Sequence, residues 1–330
     1  MSTAAGTRLT LPELPLTAWE ETKETLHRWV QVVGKVRLAS TAPRNHWWHV
    51  PLYVDVRGLT TRRMHSPGGV GFEIDFDLID HRLVIATNGG AVESFELVDG
   101  LSVAEFDRKL HSTLGRLGID VAIRETPYRL PTETPFPADR EHAAYDRDAV
   151  ERFWRILDWT DEVFAEFAGW YCGKTSPVHL FWHSLDLAVT RFRGQRAPDM
   201  PNASPVDREA YSHEVISFGF WPGDDKVREP TYYSYTAPEP PDLRQQPLHP
   251  NDASWTDYGT SLLALLPYEA VRTATNPRAA LLAFLESAYE AGAVAAGWDQ
   301  AELASSWCPP PAELSELLGQ GGQLDGSVTI

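Results

Sequence analysis

Two segments of this chain carry residue types suited to chemistry, at matching positions. They are Asn45-His-Trp-Trp-His-Val-Pro-Leu-Tyr-Val-Asp-Val-Arg57 and Val178-His-Leu-Phe-Trp-His-Ser-Leu-Asp-Leu-Ala-Val-Thr-Arg191. One common shift lays Trp48 on Trp182, His49 on His183 and Arg57 on Arg191. Imidazoles titrate near neutrality, so His46, His49, His179 and His183 suit general-base or metal-ligand roles. The same rings also suit strand ends, where they simply bond backbone carbonyls. Read as one strand, His49 and Arg57 stand roughly 27 Å apart at ~3.3 Å per residue. One copy therefore cannot form a compact site, although His of one copy and Arg of the other can.

Other groups offer further chemistry. Lys35 and Lys174 each follow a glycine, and either can reach an anionic group or act as a base if desolvated. For an enzyme, the acid/base candidates are His49 and His179, with Lys174 as a third candidate. Lys174 and Arg191 would then hold an anionic group. The wider ligand-binding set is His46, Trp48, Tyr53, Arg57, Trp182, Asp186, Arg191, His213 and Trp221. Trp47, Trp182, Trp221, Tyr232, Tyr233 and Tyr235 can wall a site for sugars, nucleosides or other flat molecules, or serve as core. Asp139, His142 and Asp146 form a weak metal candidate, because their spacing matches no established motif. His213 and Glu214 are neighbours and would face opposite ways on a strand. Glu73, Asp75 and Asp77 share a strand face and read as a solvated row balanced by Arg57, Arg62 and Arg63.

Composition limits the partners. The chain has 330 residues, 29 Lys+Arg against 46 Asp+Glu, and a net charge of −17. Such a surface repels phosphate backbones and anionic lipid, which argues against nucleic-acid and membrane partners. No apolar run approaches the ~20 residues of a membrane span. The N-terminus lacks the basic and apolar regions of a secretory signal. Cys172 and Cys308 are too few for a disulfide framework. These features predict a soluble, cytoplasmic protein. No cofactor is evident: Gly-x-Gly-x-x-Gly, Gly-x-x-x-x-Gly-Lys, Gly-x-Ser-x-Gly and His-Glu-x-x-His are all missing from the sequence.

The positioning elements follow from periodicity. Residues 1–16 read as an extended lead-in. Thr17-x-x-Glu20 has capping-box spacing, and Trp19, Leu26, Trp29, Val30 and Val33 stripe a helix that Gly34 is expected to end. His27 and Gln31 lie on its other flank. Residues 48–57 alternate as a strand, as do Phe72–Leu78, with Leu83–Thr87 as the returning partner. Ser102-x-x-Glu105 opens a second helix, and Gly118 closes it. Residues 124–147 are a proline-rich linker laid over the surface by Tyr128, Phe136 and Tyr145. Asp148 is the expected cap of the next helix. An extended stretch through Arg191, strands at 215–221 and 231–236, and a short helix near 258–266 come next. A helix capped by Asn276-Pro277 closes the pattern. Residues 309–330 read as a flexible tail.

The fold class is α+β: two related helix–antiparallel sheet–helix units, 17–123 and 148–308, expected from an internal duplication. The best functional reading is a small-molecule binding protein, or an enzyme of unknown reaction, with an aromatic and histidine-lined pocket between the units. The alternative is a non-catalytic interaction or structural protein that uses the duplicated sheet.

Several segments resemble a bacterial family of uncharacterised proteins, a domain of unknown function. They are Thr25-Leu-His-Arg-Trp-Val-Gln-Val-Val-Gly-Lys-Val-Arg-Leu38, Asn45-His-Trp-Trp-His-Val-Pro-Leu-Tyr53, Gly173-Lys-Thr-Ser-Pro-Val-His-Leu-Phe-Trp182, Tyr211-Ser-His-Glu-Val215 and Gly219-Phe-Trp-Pro-Gly223. The resemblance spreads over residues 15–300 and implies no activity. The family pattern commonly has glycine where this chain carries His183, which argues against a required catalytic role there.

Overall fold

The computed structural model describes residues 11–310. The expected tail from 311 onward, and residues 1–10 of the lead-in, lie outside the described residues. Helices α1 (Glu20–Ser40), α2 (Val103–Arg116) and α3 (Arg147–Gly169) alternate with the first sheet. That sheet comprises β1 (Tyr53–Asp55), β2 (Gly58–Thr60), β3 (Met64–His65), β4 (Gly71–Asp77), β5 (Arg82–Thr87) and β6 (Val92–Glu96). The second sheet begins with β7 (His179–Phe181) and β8 (Asp186–Arg196), followed by α4 (Pro205–Ala210). It continues through β9 (His213–Trp221), β10 (Thr231–Ala237), β11 (Ser254–Tyr258) and β12 (Ser261–Pro267). Helices α5 (Tyr268–Thr273), α6 (Pro277–Ala295) and α7 (Gln300–Leu303) close the described chain. The fold is α+β, with two six-stranded antiparallel sheets.

The first sheet runs β1-β2-β4-β5-β6, with β3 also paired to β4. The period-two pattern of β4 buries Phe72, Ile74 and Phe76. Phe106 of α2 stacks on Phe76 at 6.1 Å and on Trp29 of α1 at 5.0 Å. Ser102 caps α2 by accepting the Glu105 N–H, and Gly118 takes the left-handed conformation at φ 72°. The second sheet runs β11-β12-β10-β9-β8-β7. One face receives α3 and α6; Phe167 meets Phe218 at 4.8 Å edge to face. Asn276 caps α6 with Pro277 in its first turn. Among the described residues, no helix is long and apolar enough to cross a membrane.

Five expectations need correction. The helix predicted near 258–266 is the β11–β12 hairpin; Leu262–Leu266 is too short an apolar run to carry a period, and pairing with β10 decides it. The N-cap of α3 is Asp146, which accepts the Ala149 N–H, rather than Asp148. Thr17 and Glu20 form no capping box, because α1 starts at Glu20 with Trp19 in the N-cap position and no side-chain cap. Gly34 does not end α1, which continues to Ser40; its missing Cβ admits the Trp182 ring instead.

The fifth correction concerns the Trp-His segments, neither of which is a single strand. Asn45–Trp47 is a 3-10 turn with His46 at φ 54° and Trp47 at φ 61°, and only Tyr53–Asp55 is strand. Residues 178–191 fold as β7 and β8 around a turn in which Leu185 has φ 55°. The segments nonetheless meet. Leu52 and Leu180 exchange both backbone hydrogen bonds, at 2.9 and 2.8 Å, and the Trp182 Nε1–H donates to the Val50 carbonyl at 3.1 Å.

Between the sheets lies α1. Every residue from Thr25 to Arg37 is buried, including His27, Arg28, Gln31, Lys35 and Arg37. The flank of α1 reaches the second sheet through Lys23, which donates to the Gly223 carbonyl at 3.1 Å, and His27, bonded to the Trp182 carbonyl at 3.1 Å.

Candidate functional site

The face of the second sheet away from α3 and α6 is covered but not filled. It bounds a cavity of about 1110 Å³. The floor comes from strand alternation: Ala188, Thr190 and Phe192 of β8, Val215 and Ser217 of β9, Tyr233 and Tyr235 of β10, and Leu263 of β12. Register places Tyr233 opposite Gly219 and Tyr235 opposite Ser217. A Cβ on Gly219 would stand 2.3 Å from the Tyr233 ring, so the glycine lets that ring lie down on the sheet. The two tyrosines stack at 6.2 Å with planes 7° apart, and Trp221 adjoins Tyr233 at 4.9 Å.

One side wall is the polar flank of α1, where Lys23, His27, Gln31 and Lys35 recur every fourth residue; Lys23, His27 and Lys35 line the cavity. The roof is the 45–47 turn, α4 and the 122–131 loop. Trp47 donates its indole N–H to the Val206 carbonyl at 3.0 Å, and Arg129 pairs with Asp207 at 3.2 Å. Ser204 caps α4, fixing that short helix in place.

Polar groups converge on the floor. The hydroxyls of Ser184 and Tyr233 donate to the two carboxylate oxygens of Asp186. Tyr211 and Tyr235 join their hydroxyls at 3.1 Å. Burial raises the Tyr233 and Tyr235 hydroxyls well above their ordinary range, so both keep their protons and act as donors. Two buried polar atoms of lining residues, His179 Nδ1 and Trp221 Nε1, have no hydrogen-bond partner among the described residues. Such a group costs about 1–3 kcal/mol unless something pairs with it.

The histidines divide by environment. His46 donates its Nδ1–H to the Ala210 carbonyl at 3.3 Å, which leaves Nε2 to accept from Lys174 Nζ at 2.8 Å. Burial and then the adjacent Lys174 hold its pKa below the usual value. Lys174 also stands 4.7 Å over Phe192 and 5.0 Å over Trp48, and desolvation lowers its pKa. Burial takes His179 to about 3 and His27 to about 4, so both are neutral at pH 7. His27 donates its Nε2–H to the Trp182 carbonyl at 3.1 Å.

Of the acid/base and ligand-binding sets, six residues line this cavity: His46, Trp48, His179, Trp182, Asp186 and Trp221; of the other candidates, Lys35, Trp47, His183, Tyr233 and Tyr235 do so too. Lys174 is outside the lining but borders it through His46, Trp48 and Phe192. His49 stacks on Trp47 at 5.3 Å and accepts the Arg44 N–H, outside the lining. Tyr53 lies under Arg62 at 3.6 Å, and the His213 ring adjoins His46 at 5.4 Å.

Two arginines are elsewhere. Arg57 is exposed in a hairpin turn, bound to Asp77 at 2.8 Å and Asp80 at 2.7 Å. The acidic row is balanced there, but it is not a solvated face, since burial raises Asp75 to about 6. Arg191 points to the opposite face, because Thr190 and Phe192 on either side of it face the cavity. It lies against Phe167 at 3.5 Å and Tyr289 at 4.4 Å, bonded to the Phe167 carbonyl and 3.5 Å from Glu286.

The weak metal candidates do not converge. Asp139 accepts from His142 Nδ1 at 2.8 Å and faces Arg28 Nε at 3.4 Å, while Asp146 caps α3. Among the described residues, no group of three or more His, Cys, Asp or Glu is placed to hold a metal ion.

Sequence reasoning named Lys35 and Tyr235 and set His27 and Gln31 on one flank, but it did not join the α1 flank, the Tyr211–Tyr235 pair or the 122–131 roof into a site. The signal for the first was present in the four-residue spacing from Lys23 to Lys35. No curated protein and no solved structure matches this chain. A family model does, over residues 11–305, and its description is a family of unknown function, DUF5996. These residues include every lining group of the cavity, and the chain belongs to that family.

Proposed function

We propose that the protein binds a small organic molecule with a flat or aromatic portion in the cavity on the second sheet. The observation that carries this reading is the cavity itself: about 1110 Å³, floored by the stacked Tyr233 and Tyr235, with Asp186 in its lining bonded to Tyr233. Small-molecule sites are typically apolar concavities of ~300–1,000 Å³ with a few fixed polar groups, and this one stands at the large end. The roof supports this reading over a docking sheet, because α4 and the 122–131 loop cover the face that a partner would need. The negative net charge supports a ligand other than nucleic acid. We place the protein in the cytoplasm, a reading supported by its two free cysteines.

Catalysis is a second reading, favoured by the Lys174–His46 pair. The Lys174 ammonium, held by His46 Nε2 at 2.8 Å and lying over Phe192 and Trp48, keeps further N–H groups and can give a proton to a molecule lying there, leaving the neutral amine. The test of binding is a fluorescence titration with the neutral aromatic probe N-phenyl-1-naphthylamine. The parent protein is expected to bind one equivalent saturably. Ala210→Trp, which fills the cavity from α4, is expected to abolish that binding with the fold retained. Saturable binding that Ala210→Trp leaves unchanged overturns the proposal, and so does a parent that does not bind.

A further inference from the structure

One end of the cavity has an unusual charge arrangement. Lys35, on the last turns of α1, is only 7% exposed and lines the cavity. Its ammonium donates to the Thr126 carbonyl at 2.7 Å and lies 5.7 Å from the Phe136 ring and 6.0 Å from the Trp182 ring. An ammonium has three donors, and one neutral carbonyl occupies only one of them. The charge that acts on it is another cation, Arg124 of the roof loop, which lines the same cavity. Neither makes an ion pair among the described residues, whereas Lys23, Arg28 and Arg129 of the same cavity region all do.

This is costly. A buried ammonium without a counter-charge loses hydration and gains little in return. With 46 acidic residues available, the chain still places an arginine beside this lysine. Burial, followed by the Arg124 charge, brings the lysine down to about 8, so it is still mostly protonated at pH 7. The Trp182 ring beside the lysine, with Tyr128 against it at 6.3 Å, gives a flat molecule somewhere to lie while its charged end reaches the two cations.

We infer that Lys35 and Arg124 form an anion subsite, which holds the carboxylate, sulfonate or phosphate group of a ligand whose flat portion lies in the cavity. The inference rests on the binding reading above and specifies the class of ligand as an aromatic or amphipathic anion. The ammonium supplies two free donors and the guanidinium supplies a planar fork, a combination that suits a group with several acceptor oxygens.

The test compares two probes of similar aromatic size on the full chain. The anion is 8-anilinonaphthalene-1-sulfonate and the neutral control is N-phenyl-1-naphthylamine. Lys35→Gln and Arg124→Gln are each expected to weaken the sulfonate about tenfold, the loss of one charge-assisted contact. Binding of the neutral probe is expected to stay within about twofold, since burial of its rings is unchanged. Arg124 is exposed, so its variant keeps the fold even if the buried Lys35 variant does not. A sulfonate affinity that Arg124→Gln leaves unchanged overturns the subsite alone, and so does an equal loss of both probes. A parent that binds neither probe overturns the binding reading itself.

Discussion

The ring of Trp182 lies against Gly34, so close that a Cβ on the glycine would stand 2.3 Å from the Trp182 Cγ. The indole cannot swing away freely, because its N–H is held by the Val50 carbonyl and its own backbone carbonyl by His27. Alanine normally stabilises a helix interior by up to about 1 kcal/mol over glycine. Here overpacking outweighs that gain, and Gly34→Ala is expected to lose about 2 kcal/mol. Urea unfolding measures it; a variant as stable as the parent contradicts the close packing.

Stability below neutral pH should report His27. Its folded pKa is about 4 against 6.5 for the ordinary side chain, because burial disfavours the charged ring. Between those values the unfolded chain takes up a proton that the native state refuses. The stabilisation is therefore complete above pH 6.5 and is lost as pH falls towards 4, with a slope approaching ~1.4 kcal/mol per unit from this one group. Buried His179 adds a second contribution of the same sign. His27→Gln is expected to flatten the decline between pH 6.5 and 4.5 in urea titrations, and an unchanged slope contradicts the assignment.

Arg191 should behave as a framework residue. It is buried against Phe167 and Tyr289 beneath the sheet, with Glu286 as its charged partner. Arg191→Met leaves that carboxylate buried and alone, at an expected cost of about 3–5 kcal/mol. Binding of N-phenyl-1-naphthylamine to the folded variant should match the parent. A selective loss of binding, with stability intact, would place the guanidinium in the site instead.

Much of the frame was legible in residue order. Phe72, Ile74 and Phe76 alternate as a strand must, and Ser102 and Asn276 announce helices that form where they stand. What failed had physical causes. Leu262–Leu266 carries no period, and only its neighbour β10 makes it a strand. Gly34 reads as a helix end until Trp182, distant in sequence, is known to occupy the space above it. His46 and Trp47 adopt left-handed backbone that their side chains do not advertise. The site was half legible: His46, Trp182, Asp186 and Trp221 are at the cavity, and the four-residue spacing from Lys23 to Lys35 marks a polar flank, but only tertiary packing turns that flank towards the second sheet. Arg191 falls outside the site because Thr190 and Phe192 take the roofed face of its strand, and residue order alone does not show which face is roofed.

Asp186 should couple fold and cavity. Both of its oxygens accept hydroxyl donors, from Ser184 and Tyr233. Asp186→Asn replaces one acceptor by a donor facing a hydroxyl, at an expected cost of about 1–3 kcal/mol. Because Tyr233 also stacks on Tyr235, probe affinity should fall in parallel. Differential scanning calorimetry and the probe titration, run on the same sample, check both effects.

The central claim is that the second sheet's roofed face is the binding surface. Hydrogen exchange read by mass spectrometry, with and without saturating N-phenyl-1-naphthylamine, locates binding directly. Protection is expected in peptides covering 122–131, 179–192, 205–211 and 231–237, which floor and roof the cavity. Peptides of the first sheet, 71–96, should exchange as before. Protection confined to the first sheet, or no protection at saturating probe, would contradict the account.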